Sequence, residues 1–193
     1  MRNQRSAAGF TLIELMIAVA IIGILSTTAI TLFKYQQLRT KRTEGTTNVE
    51  ALVKMIRAYF GEAGRYPATA GTWPASAPTP AVVQWDAAST AAFGAIGFRA
   101  EQAIRYRYDV DAGAECGVCP TGGCFTVIGY SDLDGDAGIG AVGYYHRDSL
   151  LIECPATLFG WLAPLDVNTG TPIYDAAVPF PKIGGIPLAP DDY

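Results

Sequence analysis

Three aspartates at alternate positions form a compact group of possible metal ligands. The stretch SDLDGDAGIGA contains Asp132, Asp134 and Asp136, with glycines between and after them. Carboxylates on a tight turn can converge on one hard cation, and calcium takes about six to eight oxygen ligands. An EF-hand loop ends on a bidentate glutamate at its twelfth position, where this chain has Gly143. Two interpretations stay open: a calcium site, and an acidic, solvated turn between two strands.

Four cysteines offer a second kind of chemistry. They are Cys116, Cys119, Cys124 and Cys154. The CGVC stretch could be a redox pair, but no βαβ pattern surrounds it and PTGGC follows where a helix should start. Four thiolates can also hold zinc. In an oxidising compartment, the same four residues would form two disulfides.

The sequence offers little for catalysis. Its one histidine, His146, lies in a tyrosine-rich, strand-like run, where a structural role is the simpler interpretation. No Ser/His/Asp spacing, phosphate-binding glycine loop or metal-binding histidine pair is recognisable. Five tyrosines recur in the strand-like runs and predict sheet packing: Tyr106, Tyr108, Tyr130, Tyr144 and Tyr145. We therefore predict that the protein is not an enzyme.

Composition and charge narrow the class of protein. Half of the 193 residues are apolar and 17% are charged, which excludes a disordered tail and a multi-span membrane protein. Residues 34–65 carry seven positive and three negative side chains, a net charge of +4. Residues 66–193 carry five positive and fourteen negative ones, a net charge of −9. Such an acidic region repels phosphates, so broad nucleic acid binding is not expected.

A long apolar segment near the N-terminus is the strongest feature of the chain. Residues 10–33 contain one charged side chain, Glu14, and as a helix they would span about 36 Å, enough for a bilayer core. A secretory signal peptide has a shorter apolar region, and an ordinary membrane anchor gives no reason for an acid. Basic residues also follow the segment, so the distribution of positive charge does not settle its orientation.

The string GFTLIELMIAVAIIGIL, after the short basic leader, resembles the processing and methylation signature of type IV prepilins and the pseudopilins of type II secretion. The resemblance implies that prepilin peptidase removes residues 1–9, cutting between Gly9 and Phe10, and that Phe10 becomes the N-methylated terminus. It also implies a partner for Glu14, because the acid of one subunit can neutralise the terminal amine of a neighbour's Phe10. A buried charge is tolerable when it is paired in this way.

The resemblance also predicts the architecture. Residues 10–33 form a transmembrane or filament-core helix, residues 34–62 continue it as an amphipathic helix, and residues 63–193 form the head. Apolar residues at three- and four-residue steps support the second part, and Gly61, Gly64 and Pro67 predict where the helix ends. Strand-like runs at 104–110, 125–130, 141–146 and 150–154 predict a small antiparallel sheet. The expected fold class is α+β, a long helix packed on this sheet.

A pilin head lies outside the cytoplasm, which favours disulfides over zinc or redox chemistry. Of the three pairings that four cysteines allow, we favour Cys119–Cys124 with Cys116–Cys154, since the second bond would join the last predicted strand to the cysteine-rich loop.

The predicted function is a structural subunit of a type IV pilus, held in the bacterial inner membrane as a precursor and then assembled into an extracellular filament. The implied partners are other pilin subunits, prepilin peptidase, an inner-membrane platform protein and an assembly ATPase. No cofactor is expected apart from the calcium that the acidic loop could bind. Two alternatives stay open: a minor pilin or a periplasmic secretion pseudopilin, and a membrane-anchored adhesin or binding module.

Overall fold

A computed structural model describes residues 10–116, 119, 122–156, 160–166 and 168–183. The leader predicted at residues 1–9, including Gly9, lies outside them. The chain divides into two compact units, one ending at Gln37 and the other beginning at Leu38. Its elements, in order, are helices α1 (Leu12–Ala63) and α2 (Ala87–Ala92), and strands β1 (Arg107–Ala112), β2 (Phe125–Ser131), β3 (Ile139–His146) and β4 (Val178–Ile183).

The long helix predicted from the sequence is present as α1. Its buried residues recur at three- and four-residue steps in the second unit: Gly45, Val49, Leu52, Val53 and Ile56. The helix ends at Ala63, followed by Gly64 with φ of 67°, whose N–H donates to the carbonyl of Phe60 at 2.8 Å. Glycine adopts this left-handed conformation without steric cost, and for that reason it commonly terminates helices.

The four strands form one antiparallel sheet in the order β1-β2-β3-β4. Phe125 pairs with His146 at one end of the β2–β3 hairpin, and Ser131 pairs with Gly140 at the other end, next to the connecting turn. A long N-terminal helix with a small antiparallel sheet is the predicted α+β fold, which is confirmed.

The structure corrects the predicted strands. The first predicted strand began at residue 104, but Ile104 forms only an isolated bridge with Val83, and β1 starts at Arg107. Residues 150–154 were predicted as a strand and instead form a turn and a coil. The N–H groups of Leu150 and Ile152 donate to the carboxylate of Asp148, so they cannot join a ladder.

The fourth strand, β4, lies beyond the last run that was predicted as a strand. Strand β4 contains prolines at positions 179 and 181, and proline cannot donate to a ladder. Such residues are tolerated at the edge of a sheet, which is where β4 lies beside β3. The prolines therefore made this strand difficult to predict from the sequence, and it forms because it pairs with β3.

The two faces of β1 differ in chemistry. Tyr106, Tyr108 and Val110 belong to the core that includes the buried stripe of α1. Alternation along the strand turns Arg107, Asp109 and Asp111 to the opposite face, yet all three are buried. The loop of residues 67–78 supplies hydrogen-bond partners for Arg107 and Asp109.

Asp109 is the buried acid whose environment is best defined. Its carboxylate oxygens accept hydrogen bonds from the hydroxyls of Thr69 (3.1 Å) and Thr72 (3.4 Å), and the residue is 1% exposed. Burial, and next the negative charge of Asp111, raise the pKa of Asp109 to about 6, although the threonine hydrogen bonds act in the opposite direction. At a given pH, Asp109 is therefore protonated in a larger fraction of folded molecules than of unfolded ones.

We expect Asp109 to make the head less stable as the pH rises. The raised pKa makes the folded state retain a proton that the unfolded state releases above its own pKa of about 3.9. Stability should therefore fall between about pH 4 and pH 6, by about 2 to 3 kcal/mol in total. Asp109→Asn should remove this dependence and leave the variant more stable at pH 7.5. Urea unfolding at pH 4.5 and 7.5, with the full chain in detergent, measures the difference.

Asp86→Asn is the matched control. Asp86 caps α2, its carboxylate accepting the N–H of Ser89 at 2.7 Å. Hydrogen bonds from Ser89 lower the pKa of Asp86, so its contribution to stability is lost as the pH falls, opposite in sign to that of Asp109. Equal pH dependence in wild type and Asp109→Asn would contradict the assignment of the effect to Asp109.

Candidate functional site

The start of α1 holds Glu14 in a reciprocal pair of hydrogen bonds. Thr11 precedes the helix, and its Oγ1 accepts the backbone N–H of Glu14 at 3.3 Å. In return, Oε2 of Glu14 accepts the backbone N–H of Thr11 at 3.0 Å and its hydroxyl at 2.7 Å. This is a capping box, which satisfies donors that the first helical turn leaves without partners. Glu14 thus has a role within a single chain, which the sequence analysis had not found.

None of the described residues of the first unit, 10–37, covers its apolar segment. Its large apolar side chains from Phe10 to Phe33 are exposed, ranging from 53% for Ile21 to 82% for Phe10. By length and composition, α1 is able to cross a membrane. Four hydroxyls in this segment donate to carbonyls three or four residues earlier, so their polar groups are satisfied inside the helix: Ser26, Thr27, Thr28 and Thr31.

Within the second unit, polar contacts fix α1 to the sheet. Glu44 accepts the backbone N–H of Arg105 at 2.6 Å and pairs with its guanidinium at 3.3 Å. One turn further, Asn48 donates to the hydroxyl of Tyr108 at 2.8 Å. Between them lies Gly45, at which an added Cβ would come within 2.5 Å of the Tyr106 ring. Helix and sheet therefore approach too closely here for any side chain.

The cysteines occupy one cluster. The structure joins Cys116 to Cys154 and Cys119 to Cys124, with Cα separations of 5.2 and 6.2 Å. Both separations are within the usual range for a disulfide. The two cysteines of CGVC thus have different partners, which is not the arrangement of a redox pair. These bonds link the turn after β1 to the start of β2 and to the segment after β3.

The three aspartates of the acidic turn come together as expected. One carboxylate oxygen from each of Asp132, Asp134 and Asp136 lies within 4.8 Å of the others. Two of these acids also serve the turn itself, because Asp132 accepts the N–H of Gly135 at 2.8 Å and Asp136 that of Gly138 at 2.7 Å. This geometry fits a hydrogen-bonded β2–β3 turn without any ion, so calcium binding stays a hypothesis.

His146 belongs to a polar cluster that the sequence did not reveal. Its Nδ1 lies 2.7 Å from Oδ1 of Asp175, which also accepts from the Tyr144 hydroxyl (3.0 Å) and from Arg57 (3.1 Å). Burial tends to raise the pKa of Asp175, but hydrogen bonds from His146 and Tyr144 and the nearby positive charges lower it overall. The cluster ties the C-terminal segment to α1 and β3, which is a structural role for the histidine.

Some of these contacts could have been recognised from the sequence, and others could not. The T-x-x-E pattern of residues 11–14 is recognisable as a capping box without coordinates. The polar cluster around Asp175 is not recognisable from the sequence, because Arg57, Tyr144 and Asp175 are far apart in the chain and meet only through the fold. The five tyrosines expected to pack in the sheet are all buried, as predicted.

Comparison with known proteins adds independent information. Residues 4–30 match the family described as "Prokaryotic N-terminal methylation motif". Over 106 residues the chain is 40% identical to the type IV major pilin protein PilA of Myxococcus xanthus (strain DK1622). The aligned part makes up 55% of this chain and 38% of that protein, so the chain covers well under half of its relative's length.

Three observations are consistent with one another: the capped, apolar first part of α1, the packing of its second part against a small antiparallel sheet, and the two matches to known proteins. The matched residues include the start of α1, and Glu14, which lies among them, is hydrogen-bonded to Thr11 at the first turn of that helix. Residues 4–30 therefore carry the prokaryotic N-terminal methylation motif, and over 106 residues the chain is similar to a type IV major pilin.

Proposed function

We propose that the chain is the main structural subunit of a type IV pilus. It is made as a precursor and held in the inner membrane by residues 10–33. Prepilin peptidase cuts it between Gly9 and Phe10 and methylates Phe10. The subunit then enters a helical filament through a platform protein and an assembly ATPase. The observation that carries this proposal is the exposed apolar helix with an acid held at its first turn.

The geometry of Glu14 supports pairing with a neighbouring subunit. Both side-chain hydrogen bonds of the capping box go to Oε2. A carboxylate has about four acceptor positions on its two oxygens, so Oε1 can accept from the amine of a neighbour's Phe10 while the box stays formed. The helix cap and the contact between subunits are thus compatible.

The exposed segment supports a role in assembly. Residues 10–33 need lipid or other helices to bury their side chains, because residues 10–37, the described part of their own unit, offer no water-excluding cover. Lipid serves before assembly and neighbouring helices afterwards. The name of the relative as a major pilin favours a main subunit over a rare one. In this arrangement residues 34–62 are the part of the helix that the head covers, and residues 63–193 form the outer surface.

We also propose that the head lies outside the cytoplasm and that the disulfides Cys116–Cys154 and Cys119–Cys124 stabilise it there. The first bond closes a loop of 38 residues, and cross-links of that length stabilise mainly by restricting the unfolded chain. Mass mapping of non-reduced peptides distinguishes this pairing from the two other possible ones.

Analysis of sheared surface filaments tests the function. We expect this chain to be the dominant band on a gel, and its N-terminal sequence to begin with methylated Phe10 followed by TLIEL. Cells lacking prepilin peptidase are the control, and there the chain should keep its leader and no filaments should form.

Other outcomes would point to the alternatives. A scarce, correctly processed band would indicate a minor pilin or a pseudopilin. A chain absent from filaments, whose head binds a ligand without residues 1–33, would indicate an anchored binding module and contradict the proposal.

A further inference from the structure

A tight turn after β3 presents two leucines to solvent. Residues 148–152 follow the last residue of β3 almost directly, and Leu150 and Leu151 are 60% and 65% exposed. Adjacent leucines at such exposure form an apolar tip on an otherwise acidic head, and contiguous exposed apolar groups commonly mark interaction sites. We call residues 147–152 the leucine turn.

The leucine turn is built to hold this shape. Asp148 is buried, and its Oδ1 accepts the N–H groups of Leu150 and Ile152, each at 2.9 Å. The N–H of Asp148 donates to the carbonyl of Ile152 at 3.0 Å, and that of Leu151 to the carbonyl of Asp148 at 3.0 Å. Two residues after Ile152, Cys154 anchors the chain through its disulfide with Cys116. The tip is therefore ordered in advance, which lowers the entropy lost on docking.

Leu151 has an unusual backbone conformation for its residue type. Its φ is 63°, in the left-handed region that asparagine and glycine enter more readily than leucine. A residue held in such a conformation by its surroundings is a recurrent feature of functional sites. The turn thus keeps an apolar side chain exposed at a position where a polar residue would fit the backbone better.

The opposite end of the same hairpin offers a complementary surface. There Pro80 lies against Gly135 of the β2–β3 turn, and Val82 is 46% exposed. The exposed acids Asp134 and Asp136 flank Gly135 in the sequence. We call residues 80–82 and 132–136 the acidic end. The seven residues of β2 separate it from the leucine turn by about 23 Å.

The leucine turn and the acidic end are complementary in charge, and both contain exposed apolar side chains. The exposed guanidinium of Arg147 stands at the base of the leucine turn, held 4.5 Å over the Tyr174 ring. A cation next to two leucines at one end of the hairpin corresponds to two exposed carboxylates at the other end, on either side of the glycine that Pro80 approaches. Two different, mutually complementary patches form a heterologous contact, and such a contact between identical subunits generates an open helical array.

We propose that the leucine turn of one subunit docks on the acidic end of a second copy of this chain. Leu150 and Leu151 pack against Pro80 and Val82, and Arg147 pairs with Asp134. This inference rests on the proposed function, because it gives the heads of assembled subunits a specific contact in addition to that of their helices.

Site-specific cross-linking tests the contact without disturbing the fold. A photoreactive phenylalanine analogue replaces Val82 in an otherwise wild-type full-length chain, and filaments are irradiated and digested. We expect a cross-linked peptide that contains the leucine turn of another copy. The same analogue at Leu165, which is 60% exposed but outside both patches, is the control and should not give this product.

Variants test the contribution of the contact to assembly. Leu150→Ser with Leu151→Asn keeps the turn, since asparagine tolerates the left-handed conformation, and should reduce sheared filaments about tenfold. Leu162→Ser with Leu165→Ser removes two leucines of similar exposure, 54% and 60%, and should leave the yield unchanged. Arg147→Asp should also reduce it, and adding Asp134→Arg to the same chain should restore it by reversing the pair.

The outcomes separate this proposal from the one on which it rests. Absence of filaments from wild-type cells would overturn both. Wild-type filaments without the Val82 cross-link, or a leucine-turn variant that assembles as well as wild type, would overturn the docking contact alone. Reduced yield in Arg147→Asp without rescue by Asp134→Arg would overturn the predicted charge pair.

Discussion

Cells that carry Glu14→Gln in this chain are expected to process the precursor but to form almost no filaments. Glutamine can still complete the capping box with Thr11, because it also accepts the Thr11 N–H. It carries no charge, so the amine of a neighbour's Phe10 would be buried without a partner. Breaking a buried ion pair costs about 3 to 5 kcal/mol, which corresponds to a loss of more than about a hundredfold in association. Sheared filament yield and N-terminal sequencing measure assembly and processing separately.

Thr11→Val is the matched variant for Glu14→Gln. It removes the hydroxyl that caps the N–H of Glu14 but leaves the carboxylate charged. Loss of a helix cap costs about 1 kcal/mol, so the helix start should loosen while most assembly survives. If Glu14→Gln assembled like wild type and Thr11→Val did not, capping of the helix, and not charge pairing between subunits, would be the function of Glu14.

A Gly45→Val chain is expected to lose at least about 3 kcal/mol of folding free energy. The Cβ of any new residue would lie 2.5 Å from one Tyr106 ring carbon and 2.6 Å from another. Tyr106 cannot move aside easily, because it is buried and stacked on Tyr108 with ring centroids 6.2 Å apart. The helix must therefore separate from β1, which also strains the Glu44–Arg105 and Asn48–Tyr108 contacts. Urea unfolding of the full chain in detergent measures the loss.

Gly61→Ala provides the control for Gly45→Val. Both glycines lie in α1, but at Gly61 an added Cβ meets nothing within 4 Å. Replacing a helical glycine by alanine then stabilises by about 0.5 to 1 kcal/mol. If Gly45→Val unfolded at the wild-type urea concentration, the close approach of α1 to Tyr106 would be wrong.

These predictions differ in how far the sequence could have led to them. Glu14 stands out in the sequence because an acid in an apolar run is conspicuous, and its neighbours Thr11 and Phe10 are local. Gly45 lies on the buried stripe of α1, whose three- and four-residue steps are visible in the sequence. The ring that makes it sensitive belongs to Tyr106, 61 residues away, and periodicity does not reveal which side chain faces a given helical residue. In the sequence, Asp109 looks like an ordinary polar residue of a strand, and nothing local indicates that it is buried.

The strands show the same limit. Two of the predicted runs correspond closely to β2 and β3, because a short connection between alternating segments is a local signal. The run at 150–154 had suitable residues but lost its backbone donors to Asp148. Strand β4 had two prolines that argued against it, and it exists because the free edge of β3 was available for pairing.

By itself the sequence determined the N-terminal methylation motif, the long helix and the α+β class, because each depends on residues close together in the chain or on a period that repeats along it. The tertiary structure decided where Gly45 meets an aromatic ring, why the pKa of Asp109 is raised, and that the leucine turn and the acidic end lie at opposite ends of one hairpin. These properties depend on burial and on contacts between distant residues, and such contacts exist only after the chain has folded.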